Sequence, residues 1–158
     1  MDKASLISQV ITQLEKDLAA LKHAAAETHS ASTGDESKQE GKYDTRGLEA
    51  SYLADAQAEQ AVLLEKNIQR IISMPIEDKE DDPIAIGSYI ILSGEEDDQH
   101  FFMLIAGGGI TLQPLQSGEA SATVITPESP LGELLIGKQV GNYLTTEQLG
   151  EVFVSEIY

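Results

Sequence analysis

The chain has 158 residues, of which ten are basic and twenty-seven acidic, so its formal net charge is −17. Bare phosphate backbones repel such a chain, which disfavours direct nucleic-acid binding and favours a partner protein with a basic surface or channel. The absence of cysteine excludes disulfides and thiolate metal sites. Because the sequence has no signal-peptide pattern and no apolar run that could span a bilayer, we expect a cytoplasmic protein that does not enter membranes.

The first half of the chain has the apolar spacing of two long helices. Apolar or small residues recur at steps of three and four, which is the seam of a helix that packs along a partner helix. The first series is Ala4, Ile7, Ile11, Leu14, Leu18, Leu21, Ala25 and Thr28; the second is Ala50, Ala54, Ala61, Leu64, Ile68 and Ile71, interrupted by Gln57. This pattern predicts an antiparallel coiled-coil hairpin over residues 1–76, with an acidic tip near residues 33–44.

A register for the hairpin can be derived from the two series. If Ile7 faces Leu64, every other opposed pair has the same index sum, and the turn centres on residues 35–36. A shift by seven residues presents nearly the same seam, so turns centred near Ser32 or Lys38 remain open.

The second half of the chain changes its period. An acidic linker, residues 77–83, leads into short segments with strand composition. The predicted strands are Ile84–Leu92, His100–Ala106, Ile110–Leu115, Ala122–Thr126 and Glu151–Tyr158, with Gly107–Gly109 as a hairpin turn. Ser129 and Pro130 form a standard helix start, and Gly137 ends that helix. Residues 84–158 therefore predict an α+β domain, in which one short helix crosses a mostly antiparallel sheet.

At this point a family resemblance becomes visible. The segment Thr123–Tyr143, T-V-I-T-P-E-S-P-L-G-E-L-L-I-G-K-Q-V-G-N-Y, resembles the C-terminal signature of the bacterial Gre transcription elongation factors, GreA and GreB. That signature has a strand, a loop ending in Ser-Pro-Leu/Ile-Gly/Ala, a short apolar helix and Gly-Lys-x-x-Gly-Asp; here Asn142 replaces the final aspartate. The family carries a long antiparallel coiled coil before an FKBP-like domain, so the resemblance covers nearly the whole chain.

The resemblance implies a regulator of RNA polymerase and not an enzyme. The C-terminal domain would bind the rim of the secondary channel through Ser129, Pro130 and Leu131, and the hairpin would point towards the active site. There the acidic tip would help to hold a Mg²⁺ ion, so that the polymerase itself hydrolyses backtracked RNA. Nucleic acid is then contacted only within the elongation complex. Because the hairpin closes its own seam, we expect a monomer.

The tip departs from the family pattern. Cleaving members have a Gly-Asp-Leu-x-Glu-Asn-Ala-Glu-Tyr type of tip, with two acids three residues apart. Asp35 matches the first acid, but Lys38 stands at the second, and an alignment anchored on Tyr43 recovers only Glu36. The candidate ligands of a shared Mg²⁺ are therefore Asp35, Glu36 and Glu40, since one or two carboxylates can complete such a site. Stimulation of cleavage and inhibition without cleavage both remain open.

Two other classes of function compete with this interpretation. An FKBP-like domain could be a peptidyl-prolyl isomerase, which requires an apolar cavity lined by aromatic residues. The helices could instead form a dimeric coiled-coil adaptor. A proline-isomerisation assay tests the first alternative, and light scattering tests the second.

Overall fold

A computed structural model describes most of the chain. The described residues are 2–33, 46–76, 82–95, 97–116 and 118–158. The chain divides into two compact units, one formed by Thr12–Gln69 and the other by Met1–Ile11 together with Arg70–Tyr158. No helix within the described ranges is long and apolar enough to cross a membrane.

Two long helices precede the sheet, as the sequence predicts. Helix α1 is Lys3–Thr33 and helix α2 is Arg46–Ile72. Asp2 caps α1, because its carboxylate accepts bonds from the Ser5 amide (3.1 Å) and the Ser5 hydroxyl (2.6 Å), and these bonds lower the pKa of Asp2. The predicted seam is confirmed in the Thr12–Gln69 unit, where its members are buried or half-buried. These are Leu14, Leu18, Leu21, Ala25 and Thr28 of α1, and Ala50, Ala54, Gln57, Ala61, Leu64 and Ile68 of α2.

The predicted register of the hairpin is wrong. The Lys22 ammonium lies 3.5 Å from the Glu65 carboxylate, which gives an index sum of 87 instead of 71. In the predicted register Lys22 would lie opposite Glu49. Glu49 is sixteen residues before Glu65, which is about 24 Å along α2. The offset is close to two heptads, and a shift by whole heptads places apolar residues on the same seam. The periodicity therefore identifies the contacting faces but not their alignment.

The C-terminal half forms a six-stranded mixed sheet with one short helix. The strands are β1 (Tyr89–Ser93), β2 (Gln99–Met103), β3 (Thr111–Leu112), β4 (Ala122–Ile125), β5 (Tyr143–Thr146) and β6 (Gly150–Ile157), and helix α3 is Pro130–Leu135. The order across the sheet is β3-β4-β2-β1-β6-β5, and β2 pairs with β4 in parallel. The core cluster joins strands β1, β2, β4, β5 and β6 to α3. It contains Ile84, Ile90, Leu92, Phe101, Met103, Ile125, Leu135, Leu144, Val152, Val154 and Ile157.

Three details of the predicted sheet need correction. Strand β1 begins at Tyr89, because Ile84 pairs instead with the turn after α3, where its amide donates to the Lys138 carbonyl (2.8 Å). Gly107–Gly109 is not a hairpin turn, since β4 lies between the two strands that it connects. Strand β5 was not predicted at all. Turn residues show where a chain reverses, but the strand that pairs on either side depends on contacts distant in sequence.

Gln57 is a polar residue within the apolar seam of α2. Its Oε1 atom is buried and has no hydrogen-bond partner among the residues that the structure describes. A buried acceptor without a partner costs about 1–3 kcal/mol, whereas an apolar side chain of similar size avoids that cost. We therefore expect Gln57 to lower the stability of the hairpin.

We expect Gln57→Leu to raise the free energy of unfolding by about 1 kcal/mol, because it removes the unpaired acceptor and adds apolar burial. Urea unfolding followed by circular dichroism measures the change. Gln60→Leu is the matched control, since Gln60 is exposed on the same helix, and it should shift stability by less than about 0.5 kcal/mol. Equal effects of the two substitutions would contradict the assignment of Gln57 to the seam.

Candidate partner-binding site

The loop before α3 carries the predicted polymerase-binding residues. The Ser129 hydroxyl donates to the Thr126 carbonyl (2.7 Å) and accepts a bond from the Gly132 amide (3.1 Å). Ser129 is therefore the N-cap that the sequence predicts, with extended backbone angles of −74° and 151°. Pro130 follows in the first turn and is exposed, while Leu131 packs against the core cluster. The structure thus presents Pro130 on a loop that its neighbours hold on both sides.

Gly132 allows this loop to close tightly. A Cβ atom built on Gly132 would lie 1.9 Å from the Thr126 carbonyl oxygen and 2.9 Å from the Ser129 hydroxyl oxygen. No non-bonded carbon approaches an oxygen so closely, so any side chain here would move the loop. The Ser-Pro-Leu-Gly motif therefore specifies one geometry, in which the cap bonds and the glycine contact require each other.

The three predicted residues border a cavity of about 530 Å³. The other side of this cavity comes from the β5–β6 hairpin, which the sequence did not connect with the site. The cavity is lined by Phe101, Thr123, Ile125, Ser129, Pro130, Leu131, Leu134, Thr145, Thr146, Glu147, Gln148 and Leu149. Its walls are mostly apolar or threonine side chains, with Glu147 as the acidic residue. The feature of the sequence that could have indicated this hairpin is Gly150. In the structure it has a positive φ of 67° at the turn between β5 and β6, a conformation that favours glycine.

Asn142 stands where the family signature has aspartate. Its Oδ1 atom accepts a bond from the Gln139 amide (3.1 Å), and its own amide donates to the Gln139 carbonyl (3.0 Å). An aspartate carboxylate could accept the same bond, because both side chains place an oxygen at this position. The replacement therefore keeps the turn that leads into β5.

A smaller cavity of about 270 Å³ lies near Tyr89, His100 and Glu119. Its polar groups already bond within the protein. The Tyr89 hydroxyl lies 3.1 Å from His100 Nδ1, and the Glu119 carboxylate accepts bonds from the Leu115 and Gln116 amides. Burial raises the pKa of Tyr89, and the charge of Glu119 adds to that effect. None of the predicted site residues lies here.

The candidate Mg²⁺ ligands at the tip, Asp35, Glu36 and Glu40, lie outside the described residues. Within the described part of the chain, the Asp, Glu and His side chains form no group of three or more that could hold a metal ion.

No protein-family model matches the sequence, and no curated protein matches it significantly. The chain is similar to the crystal structure of GreA factor homolog 1 (Gfh1) of Thermus thermophilus, with 20% identity, 96% of this chain and 94% of that chain covered, and a TM-score of 0.37. It is also similar to Gfh1 of Thermus aquaticus, with 21% identity, coverage of 98% and 95%, and a TM-score of 0.36.

Gly132→Ala should lower the free energy of unfolding by about 3 kcal/mol, because the new Cβ would overlap the Thr126 carbonyl. In an unconstrained helix the same change would stabilise the protein by about 1 kcal/mol, so the sign of the effect is diagnostic. Chemical denaturation measures it. Gly108→Ala is the control: Gly108 is exposed and its Cβ would lie 3.4 Å from the nearest Thr126 atom. If Gly132→Ala is neutral, the described loop geometry is wrong.

Proposed function

We propose that this protein is a Gre-type transcription factor that binds RNA polymerase. The observation that carries the proposal is the Thr126–Gly132 loop, where the Ser-Pro-Leu-Gly signature forms a rigid cap with Pro130 exposed. A rigid loop loses little conformational entropy when it binds, which favours affinity from a small contact. The cavity beside it offers an apolar recess for a partner side chain.

The charge of the C-terminal region supports a basic partner surface. Residues 82–158 contain eleven acidic residues and one lysine, Lys138. Such a field accelerates encounter with a basic surface and repels free nucleic acid. We therefore propose that contact with RNA or DNA is indirect, through the polymerase.

The hairpin has a separate part in the proposal. We propose that it enters the secondary channel and presents Asp35 and Glu36, with Glu40, to the Mg²⁺ of the polymerase. Carboxylates at the tip would supply ligands to that ion, and the reaction would remain the polymerase's own. Because the tip lacks a complete acid pair, binding to the polymerase is better supported than stimulated cleavage, and occupation of the channel alone remains the alternative.

A peptidyl-prolyl isomerase is less well supported. The candidate cavity contains one aromatic residue, Phe101, which the core also uses. Tyr143 is 78% exposed and contacts Phe153, and neither residue lines this cavity. This lining differs from the aromatic pocket that such an activity requires.

Pro130→Ala should weaken binding to purified bacterial RNA polymerase about fivefold, because an exposed anchor that contributes about 1 kcal/mol is lost. Biolayer interferometry with the 158-residue chain measures the affinity, and circular dichroism checks the fold. Pro83→Ala is the matched control, since Pro83 is exposed in the same half of the chain. Should neither the parent protein nor the variants bind polymerase, the proposed partner is wrong; equal binding of all three would reject only the role of Pro130.

The double substitution Asp35→Asn with Glu36→Gln should leave polymerase binding unchanged and abolish the effect on backtracked complexes, because it removes charge while keeping size. Cleavage and elongation of stalled complexes are the readouts. Asp55→Asn with Glu59→Gln is the control, since both residues are exposed along α2. A tip variant that acts like the parent protein would show that the channel is merely blocked.

A further inference from the structure

The two edge strands of the sheet, β3 and β5, differ in whether their outward main-chain groups are hydrogen-bonded. Strand β3, at one edge, has only two residues, and Gln113 follows it. The Gln9 side chain accepts a bond from the Gln113 amide (2.9 Å) and donates one to the Gln113 carbonyl (3.1 Å). A neighbouring strand would make the same pair of bonds, so the Gln9 amide closes this edge.

Strand β5 forms the opposite edge. The Val154 amide donates to the Asn142 carbonyl (2.9 Å), and hydrogen-bonded pairs alternate along an antiparallel ladder. Leu144 therefore bonds to β6, while Tyr143 and Thr145 point their main-chain groups away from it. Within the described part of the chain, no hydrogen bond outside the strand pairing uses the main chain of these two residues.

Strand β5 is a short edge strand of four residues, but its sequence lacks the other features that protect an edge. Besides short strands, natural edges use charges, proline or a bulge to prevent pairing with another chain. β5 reads Tyr-Leu-Thr-Thr, has no such residue and pairs with β6 in unbroken register. Tyr143 is 78% exposed and Thr145 is also exposed. The edge is therefore chemically able to accept another strand.

The open edge adjoins the candidate cavity. Thr145 and Thr146 line this cavity together with Leu131 and Leu134 of the α3 region. A segment bound along β5 would present alternate side chains to opposite faces, because side chains alternate along a strand. One of them could enter the cavity, whose volume of about 530 Å³ exceeds that of an aliphatic side chain.

The negative charge around β5 favours a basic segment as the bound strand. Glu147 lines the cavity, Glu151 lies opposite Thr145 in the β5–β6 pairing, and Glu133 is in the first turn of α3. None of these three carboxylates forms an ion pair with another described residue. A basic segment would be attracted to this edge, whereas a second copy of the chain would bring its own negative charge.

We propose that β5 is a docking edge for an extended, lysine- or arginine-rich segment of a partner protein, which adds a strand to the sheet and places one apolar side chain in the cavity. This goes beyond the proposed function, since the inference depends only on the edge, the cavity and the charge. Main-chain bonds would supply affinity, and the cavity and carboxylates would supply specificity.

Nuclear magnetic resonance with a short peptide that alternates lysine with valine tests the proposal. In the 158-residue chain, the Tyr143 and Thr145 amides should exchange rapidly with solvent and become protected when the peptide is added. Shifts should concentrate at β5 and the cavity. A peptide of equal charge with proline in place of valine should give no protection, because proline cannot donate to a ladder. Protection of neither amide, or shifts spread over all acidic regions, would overturn the proposal.

Variants separate the contributions of main chain and charge. Thr145→Pro removes one outward amide and should weaken binding of the peptide about tenfold. The fold should survive, because an edge position tolerates proline.

The double substitution Glu147→Lys with Glu151→Lys should also weaken binding of the peptide about tenfold at low salt. Asp82→Lys with Asp97→Lys is the control with the same charge change, and it should have a smaller effect. Equal effects of the two charge variants, or undiminished binding to a folded Thr145→Pro protein, would contradict the docking edge. If Thr145→Pro does not fold, amide protection in the parent protein decides the question. Dimers formed through β5 in sedimentation equilibrium would show that a second copy is the occupant.

Discussion

The contact between Gly132 and the Thr126 carbonyl is the constraint on which the candidate site depends. It brings the first turn of α3 against the end of β4, so that the Ser129 hydroxyl can bond to both sides of the loop. Leu131 is thereby directed to the core and Pro130 to the surface. A looser approach would separate the cap from its carbonyl and open the wall of the cavity.

Charge sets a second constraint on this region. The residues from Asp82 onward contain one lysine and eleven acids, so ion pairs among themselves cannot offset most of their carboxylates. Stability must come from the apolar core, which extends across the sheet, and the surface is left with unbalanced negative charge. A basic partner would relieve that repulsion, and added salt would weaken its attraction. The same imbalance makes self-association along an open edge unfavourable.

Several elements could be predicted from the sequence because their signals are local. Apolar residues three and four apart identified the faces of α1 and α2, since helical periodicity alone decides which side chains share a face. The Asp2 and Ser129 caps followed from residue type and position, because a cap bond spans only three residues. The order Ser-Pro-Leu-Gly was likewise sufficient to place the predicted contact residues Ser129, Pro130 and Leu131 together.

Only the tertiary structure decided how these elements are aligned. The Lys22–Glu65 pair shows which hairpin register is formed, whereas the repeating seam leaves the register degenerate because shifted heptads bury similar residues. Strand order also depends on contacts distant in sequence, since β4 lies between β2 and β3. The edge strand β5 is only four residues long, which gives the sequence little pattern from which to predict it. The sequence by itself therefore determined the helices, the caps and the charge. The register, the cavity and the free edge arise from non-local packing, which no local pattern encodes.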